Sequence, residues 1–353
     1  MPLRPLRRLA AIIVLPLAFA ALAPGARAQS AAPSSPVEAA PVAQDGALPV
    51  TDHAPLVVTG VQPGPGLWKV SKGDHVMWVL GTQSPLPRGM RRESAEVEAA
   101  LAASQEVLYA PVVGFSVDAG GFFRNLLVLP RLYGARKNPD GRTLREVLPP
   151  DLYARWLPLR ERYLGKGRAV ERMRPLFAAG ELWEEALRQE GLALSGVVMP
   201  VLARAVKAYD LRETRPERTL EVTDPKALLA EIEHAQLDDA RCLEATIARL
   251  EDIARLRRRA NAWAEGDIAA LRALPDVRQN SACAEAAMQS PAMRKRGAGA
   301  LPAEVAEAWL EAAEAALARN SGTFALLPVD DLLSGEGYLA RLAARGYEVT
   351  APE

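Results

Sequence analysis

Histidine and cysteine, the side chains most often used for metal and acid–base chemistry, are scarce here: 353 residues hold three of the first and two of the second. The chain has no H-E-x-x-H pair, paired-cysteine zinc spacing, Gly-rich phosphate loop or nucleophile-elbow serine. The chemistries those patterns announce therefore have no basis in this sequence. His53, His75 and His234 lie far apart, none placed as half of a ligand pair, and each is expected in an ordinary surface or packing role. A basic excess is also missing. Lys+Arg and Asp+Glu both number 43; without the four arginines of the first 28 residues, 39 bases face 43 acids. Such a balance excludes nucleic acid as a partner, because displacing counterions from phosphates needs a basic surface. After the first 28 residues no run approaches the ~20 apolar residues of a membrane helix, so an integral membrane protein is not expected.

The N-terminal segment is informative. Arg4, Arg7 and Arg8 precede an apolar stretch, Leu9 to Ala23, too short for a comfortable membrane span, and Ala26-Arg27-Ala28 makes an A-x-A site. Residues 1–28 are read as a secretory signal cleaved after Ala28, which predicts a periplasmic or secreted protein. Residues 29–66, dominated by Ala, Pro, Ser and Gly, read as a disordered leader, and residues 67–353 as one α/β or α+β domain. Outside the cytoplasm the pair Cys242 and Cys283 is most simply a disulfide, worth roughly 4 kcal/mol in the loop-entropy account; two buried free thiols are the alternative. Neither cysteine has a second Cys or His at ligand spacing, which argues against a metal role.

Leu67–Val70 and Val76–Leu80 are short runs of β-branched and aromatic residues around Ser71-Lys72-Gly73-Asp74, a hairpin whose glycine can supply a positive φ. The second run is almost wholly apolar, as in a strand covered on both faces, so the following Gly81-Thr82-Gln83-Ser84 turn emerges at the edge of a buried sheet, where α/β proteins usually place their chemistry. Ser94–Ser104 then reads as a helix and Glu106–Tyr109 as a strand, an order that fits a βαβ unit. Helices are predicted over Phe122–Tyr133, from a capping box at Thr143-Leu144-Arg145-Glu146, and over Asp151–Tyr163, Pro175–Glu190 and Met199–Tyr209. Leu152, Trp156, Leu159 and Tyr163 form a packing stripe. A short strand follows near Thr219–Val222, then strongly helical sequence from Pro225 to Asp267, where Gly266 ends one helix and Asp267 caps the next.

The order tryptophan, Lys-Val, a Gly-Asp turn, an apolar strand and Gly-Thr resembles the opening of the TraB/GumN family, relatives of the Tiki proteins and proposed metal-dependent hydrolases. Phe324-Ala325-Leu326-Leu327, Ser334-Gly335-Glu336-Gly337-Tyr338-Leu339 and Arg345-Gly346-Tyr347-Glu348-Val349 are similar to its closing strand, loop, helix and last strand, and Trp263-Ala264-Glu265-Gly266-Asp267 resembles its W-x-x-G-D segment. The resemblance implies a small, mainly parallel sheet fed by the N-terminal hairpin and enclosed by a large helical portion. It also implies a site built from Gly-Thr-x-His, a strand-end glutamate and a late Gly-x-x-His. This chain has Ser84 in place of the first histidine, Ala110 in place of the glutamate and Asp331 in place of the second histidine.

The implied pocket comprises Gly81, Thr82, Gln83, Ser84, Ala110, Asp330 and Asp331, with the Gly81–Ser84 and Asp330–Leu333 loops adjacent. Two readings stand side by side. In the first, the pocket has lost its ligands, holds no metal or other cofactor, and serves binding or scaffolding of an unidentified protein or small ligand. In the second, Asp331 and Glu221, the latter at a strand end where relatives carry Leu-Glu, offer oxygen ligands to a divalent ion in a working hydrolase or peptidase. Ser84 would need an adjacent base to act as a nucleophile, and Asp330 or Asp331 could simply cap the turn before Leu332.

Overall fold

The computed structural model describes residues 65–90, 94–117, 134–234, 239–274 and 279–352. The expected signal, nearly all of the leader, His53 and the expected helix Phe122–Tyr133 lie outside the described residues.

Six strands form the central sheet in the order β10-β1-β2-β9-β4-β7: β1 (Leu67–Lys72), β2 (His75–Thr82), β4 (Glu106–Leu108), β7 (Arg212–Thr214), β9 (Gly322–Pro328) and β10 (Glu348–Thr350). β1 pairs antiparallel with β2 and β10; β2, β9, β4 and β7 run parallel. The β1–β2 hairpin turns through Gly73 at φ 63°, the left-handed conformation that its missing Cβ permits. The βαβ expectation needs one refinement. β2 and β4 are parallel but not neighbours, because β9, arriving from late in the chain, takes the place between them. Two small pairs flank the sheet: β3 (Leu86–Pro87) antiparallel to β6 (Leu192–Ala193), and β5 (Val112–Val117) parallel to β8 (Glu217–Val222). β5 and β8 prolong β4 and β7 after a break at Ala110-Pro111 on one strand and Pro216 on the other, residues whose missing N–H or restricted φ interrupts a ladder.

Helices follow in chain order: α1 (Ala95–Ala102), α2 (Leu144–Val147), α3 (Pro150–Tyr163), α4 (Pro175–Gln189), α5 (Val198–Tyr209), α6 (Pro225–His234), α7 (Ala240–Glu251), α8 (Ile253–Glu265), α9 (Ile268–Ala273), α10 (Gln279–Met288), α11 (Pro291–Arg294), α12 (Leu301–Arg319), α13 (Val329–Leu333) and α14 (Tyr338–Ala344). Among the described residues none is long and apolar enough to cross a membrane. The local signals act as the sequence indicates. Ser94 accepts from the Val97 amide at the start of α1, Glu146 accepts from the Thr143 amide and hydroxyl, and Gly266 at φ 72° closes α8 before Asp267 accepts from the Ala270 amide.

Strand alternation divides the core into two layers. Met77, Val79, Leu108, Ala325 and Leu327 face a layer with Trp263, Trp309 and Leu342, while Leu80, Val107, Phe324 and Leu326 face one with Leu101 and Leu202. Both faces of the strands are thus buried, as the continuous apolar runs require. The stripe Leu152, Trp156, Leu159 and Tyr163 packs in a separate helical core with Leu182, Trp183 and Leu243. That core contains the bonded pair Cys242–Cys283, Cα atoms 4.5 Å apart.

Candidate functional site

β2 and β9 finish level with one another: Gly81 pairs with Leu327 and Thr82 with Pro328, and the Thr82 hydroxyl donates to the Leu327 carbonyl at 3.2 Å. The chain leaving β2 and the first turn of α13 therefore start side by side. They border a cavity of about 510 Å³, a size usual for small-molecule sites. Thr82, Gln83, Ser84, Leu326, Pro328 and Asp330 line it from the sheet; Tyr109, Ala110, Val112 and Arg215 line it from the break between the strand pairs. The opposite wall is Ala193 to Met199, with Arg249 from α7.

Arg259 holds the two strand ends together. Along α8 the buried positions include Leu256, Arg259, Ala260 and Trp263, so this arginine occupies the inward stripe, with its side chain only 1% exposed. Its Nε donates to Gln83 Oε1 at 3.0 Å, one amino group to the carbonyls of Leu271 (3.1 Å) and Leu274, and the other to Asp330 Oδ1. One turn further on, Trp263 Nε1 donates to the Gly81 carbonyl at 2.5 Å. Gly81 is tightly packed: a Cβ there would sit 3.0 to 3.1 Å from side-chain atoms of Val329, Leu332 and Trp68, which would have to give way slightly.

Two arginines and a tyrosine stand among the apolar residues of the cavity surface. Arg215 stacks on the Tyr109 ring, 3.5 Å from its centroid, and donates to Glu213 at 2.5 Å; Arg249 lies over Trp183 at 4.5 Å. Tyr109 also donates to Glu213, at 2.7 Å. Burial and that carboxylate push the phenol up to about 12, so it stays neutral at ordinary pH and is no ready base. Hydrogen bonds from Tyr109 and then Arg215 hold Glu213 below the usual carboxylate range. The Ser84 hydroxyl donates to the Leu194 carbonyl at 3.0 Å, and His75 sits at the opposite end of β2, its Nδ1 2.7 Å from the Asn320 carbonyl.

Of the residues named from sequence, Thr82, Gln83, Ser84, Ala110 and Asp330 line one cavity. Gly81 lies beneath it, tied to Trp263. Asp331 is half-buried in α13 and does not line the cavity; Asp330, its neighbour, does. Both aspartates sit inside the first turn of α13 and Pro328 is its N-cap, so neither is the cap expected from sequence. Glu221 is exposed on β8 and is likewise not part of the lining. Sequence reading missed Tyr109, Arg215, Arg249 and Arg259. For Arg259 a signal existed, its i+3 and i−4 spacing from Leu256 and Trp263, but three successive arginines resemble a solvated face.

A model of the TraB/PrgY/gumN family matches residues 66–351, nearly the whole described chain, and the chain belongs to that family. No curated protein and no solved structure matches it.

Proposed function

We propose that this TraB/PrgY/gumN family member is an exported protein whose cavity binds a ligand without hydrolysing it. The observation that carries this reading is the Arg259 clamp: the carboxylate that lines the cavity, Asp330, is committed to a buried guanidinium. A metal ion placed there would compete with one positive charge for that carboxylate and be repelled by it at short range. Of the positions that the family resemblance singles out, Ser84 supplies a hydroxyl already bonded to a carbonyl, Ala110 a methyl, and Asp331 a carboxylate that does not line the cavity. A hydroxyl and a methyl do not offset the dehydration of a first-row ion as imidazole or thiolate does. Among the described residues no group of three His, Cys, Asp or Glu is placed to hold a metal ion. The donors present do not fit the family's metal, so no hydrolytic step is derived through one. Export is supported by the N-terminal pattern and by the bonded pair Cys242–Cys283, which suits an oxidising compartment.

Elemental analysis and calorimetric titration with Mn²⁺, Co²⁺, Zn²⁺, Mg²⁺ and Ca²⁺, together with a peptidase assay, test the reading. The expected result is sub-stoichiometric metal and no hydrolysis above background. Stoichiometric binding abolished in Asp331→Ala or Glu221→Ala, with activity falling in parallel, would overturn it in favour of the oxygen-ligand hydrolase.

A further inference from the structure

Resting on the reading of the cavity as a binding site, we propose that its ligand is an uncharged, largely hydrocarbon molecule of the kind of a long-chain alcohol. Five large apolar side chains stand exposed among the described residues, and three of them, Val112 (50%), Leu194 (47%) and Met199 (45%), line this one cavity. A fourth, Phe115, lies on β5 three residues beyond Val112. Leu86, Val197, Val198 and Leu326 continue the apolar wall. Exposed apolar surface gathered around a concavity marks a place where apolar matter is received. The polar side chains set among these residues are already committed within the protein. The Thr82 and Ser84 hydroxyls donate to the carbonyls of Leu327 and Leu194, Gln83 accepts from Arg259 and donates to the Ser84 carbonyl at 3.2 Å, and Tyr109 donates to Glu213. The charges are committed too. Asp330 is paired with Arg259 and Arg215 with Glu213, while Arg249, 8% exposed, lies over the Trp183 ring and is engaged within the fold. A charged ligand would therefore give up hydration here without gaining an unspent counter-charge, and stripping water from an ion costs far more than stripping it from a hydroxyl. Ser195, at an exposed position of the same lining, is the polar side chain left uncommitted among the described residues, and its hydroxyl suits one neutral polar group on the ligand.

Titration calorimetry of the intact protein, in EDTA and below micellar concentrations, decides the matter. The probes are decanol, octanol, decanoate and decylammonium. One equivalent of decanol is expected to bind, at least tenfold more tightly than either charged chain, because neither finds a free partner for its charge. Each methylene added between octanol and decanol should tighten binding about fourfold, the increment for burying one such group. Met199→Glu and Leu194→Asp, both at exposed positions and expected to melt like wild type, put a carboxylate in the apolar wall and should each weaken decanol binding about tenfold. Decanoate or decylammonium binding as tightly as decanol, affinity independent of chain length, affinity unchanged in both variants, or no saturable binding of decanol would each overturn the proposal. The metal and peptidase measurements above are independent of these titrations, so loss of this ligand class leaves the non-hydrolytic reading standing, and detection of metal-dependent hydrolysis refutes that reading separately.

Discussion

At the amino ends of β4 and β9, Glu106 is wholly buried and accepts from the Thr214 hydroxyl at 2.5 Å, Arg319 at 2.6 Å and Asn320 Nδ2 at 2.7 Å. At the carboxyl ends of β2 and β9, Arg259 is just as buried and reaches Gln83, Asp330 and two carbonyls. Each end thus buries a charge and satisfies it, as the interior demands. The ends differ in what surrounds the charge. Glu106 is met by strand and helix termini that close over it, whereas the partners of Arg259, Gln83 and Asp330, are themselves cavity lining. The same device therefore seals one end of the sheet and supports an open site at the other. A buried charge alone does not mark function; what its partners face does.

Removing the clamp should have the largest effect. Arg259→Met leaves Asp330 and Gln83 without their donor and should destabilise the fold by about 3–5 kcal/mol, the usual cost of breaking a buried pair from one side. Arg259→Lys should recover little of that loss, because one ammonium cannot reproduce a planar fork to acceptors on several sides. Urea unfolding followed by circular dichroism measures both. A loss below about 1 kcal/mol in Arg259→Met would mean the clamp does not hold the open end.

Two glycines sharpen the contrast. A Cβ on Gly322, at the closed end, would lie 2.4 Å from the main-chain oxygen of Ala103, while one on Gly81, at the cavity end, would meet only side-chain atoms at 3.0 to 3.1 Å. Backbone cannot yield as side chains can. Gly322→Ala should therefore cost about 3 kcal/mol and Gly81→Ala about 1 kcal/mol, within the usual range for overpacking. Equal losses in thermal unfolding would show that both ends are equally rigid.

The closed end was more legible in the sequence than the open one. Hairpin, buried strands, the caps at Thr143, Gly266 and Asp267, and the helical stripe are local patterns, set by turn chemistry and by periods of two and 3.6 residues, and they are present in the structure; the cap expected at Asp330 or Asp331 is not. The neighbouring of Thr82 and Pro328 could be anticipated only through the family resemblance, because 246 positions separate them and no local rule pairs β2 with β9. The cavity's arginines were not legible at all. Arg215 and Arg249 come from elements far apart in the chain, and composition cannot say which of many charged side chains a tertiary fold will turn toward one space. Asp330 and Asp331 show the same limit: adjacent in sequence, they differ in placement, because the helical turn directs only the first into the cavity.

The smallest predicted effect is one of pH, and it isolates charge at the closed end. Burial by itself would raise Glu106, but the hydrogen bonds from Thr214, Arg319 and Asn320 outweigh it and hold the carboxyl below its ordinary 4.5. A group whose pKa is depressed by folding stabilises the fold fully above its unfolded value, and that contribution is lost as pH falls through the folded value. Glu106→Gln keeps the shape and part of the hydrogen bonding and removes only the charge. At neutral pH it should lose about 1–2 kcal/mol, in line with bonds to an ionised acceptor. Wild type alone should then lose this increment as acidity increases below 4.5, so the two stability curves should converge in acid and run parallel above about pH 6. Urea midpoints collected across that range test the point. Curves that stay parallel through the acid limb would mean that the Glu106 charge is not what stabilises the closed end, and that shape and neutral hydrogen bonding suffice there.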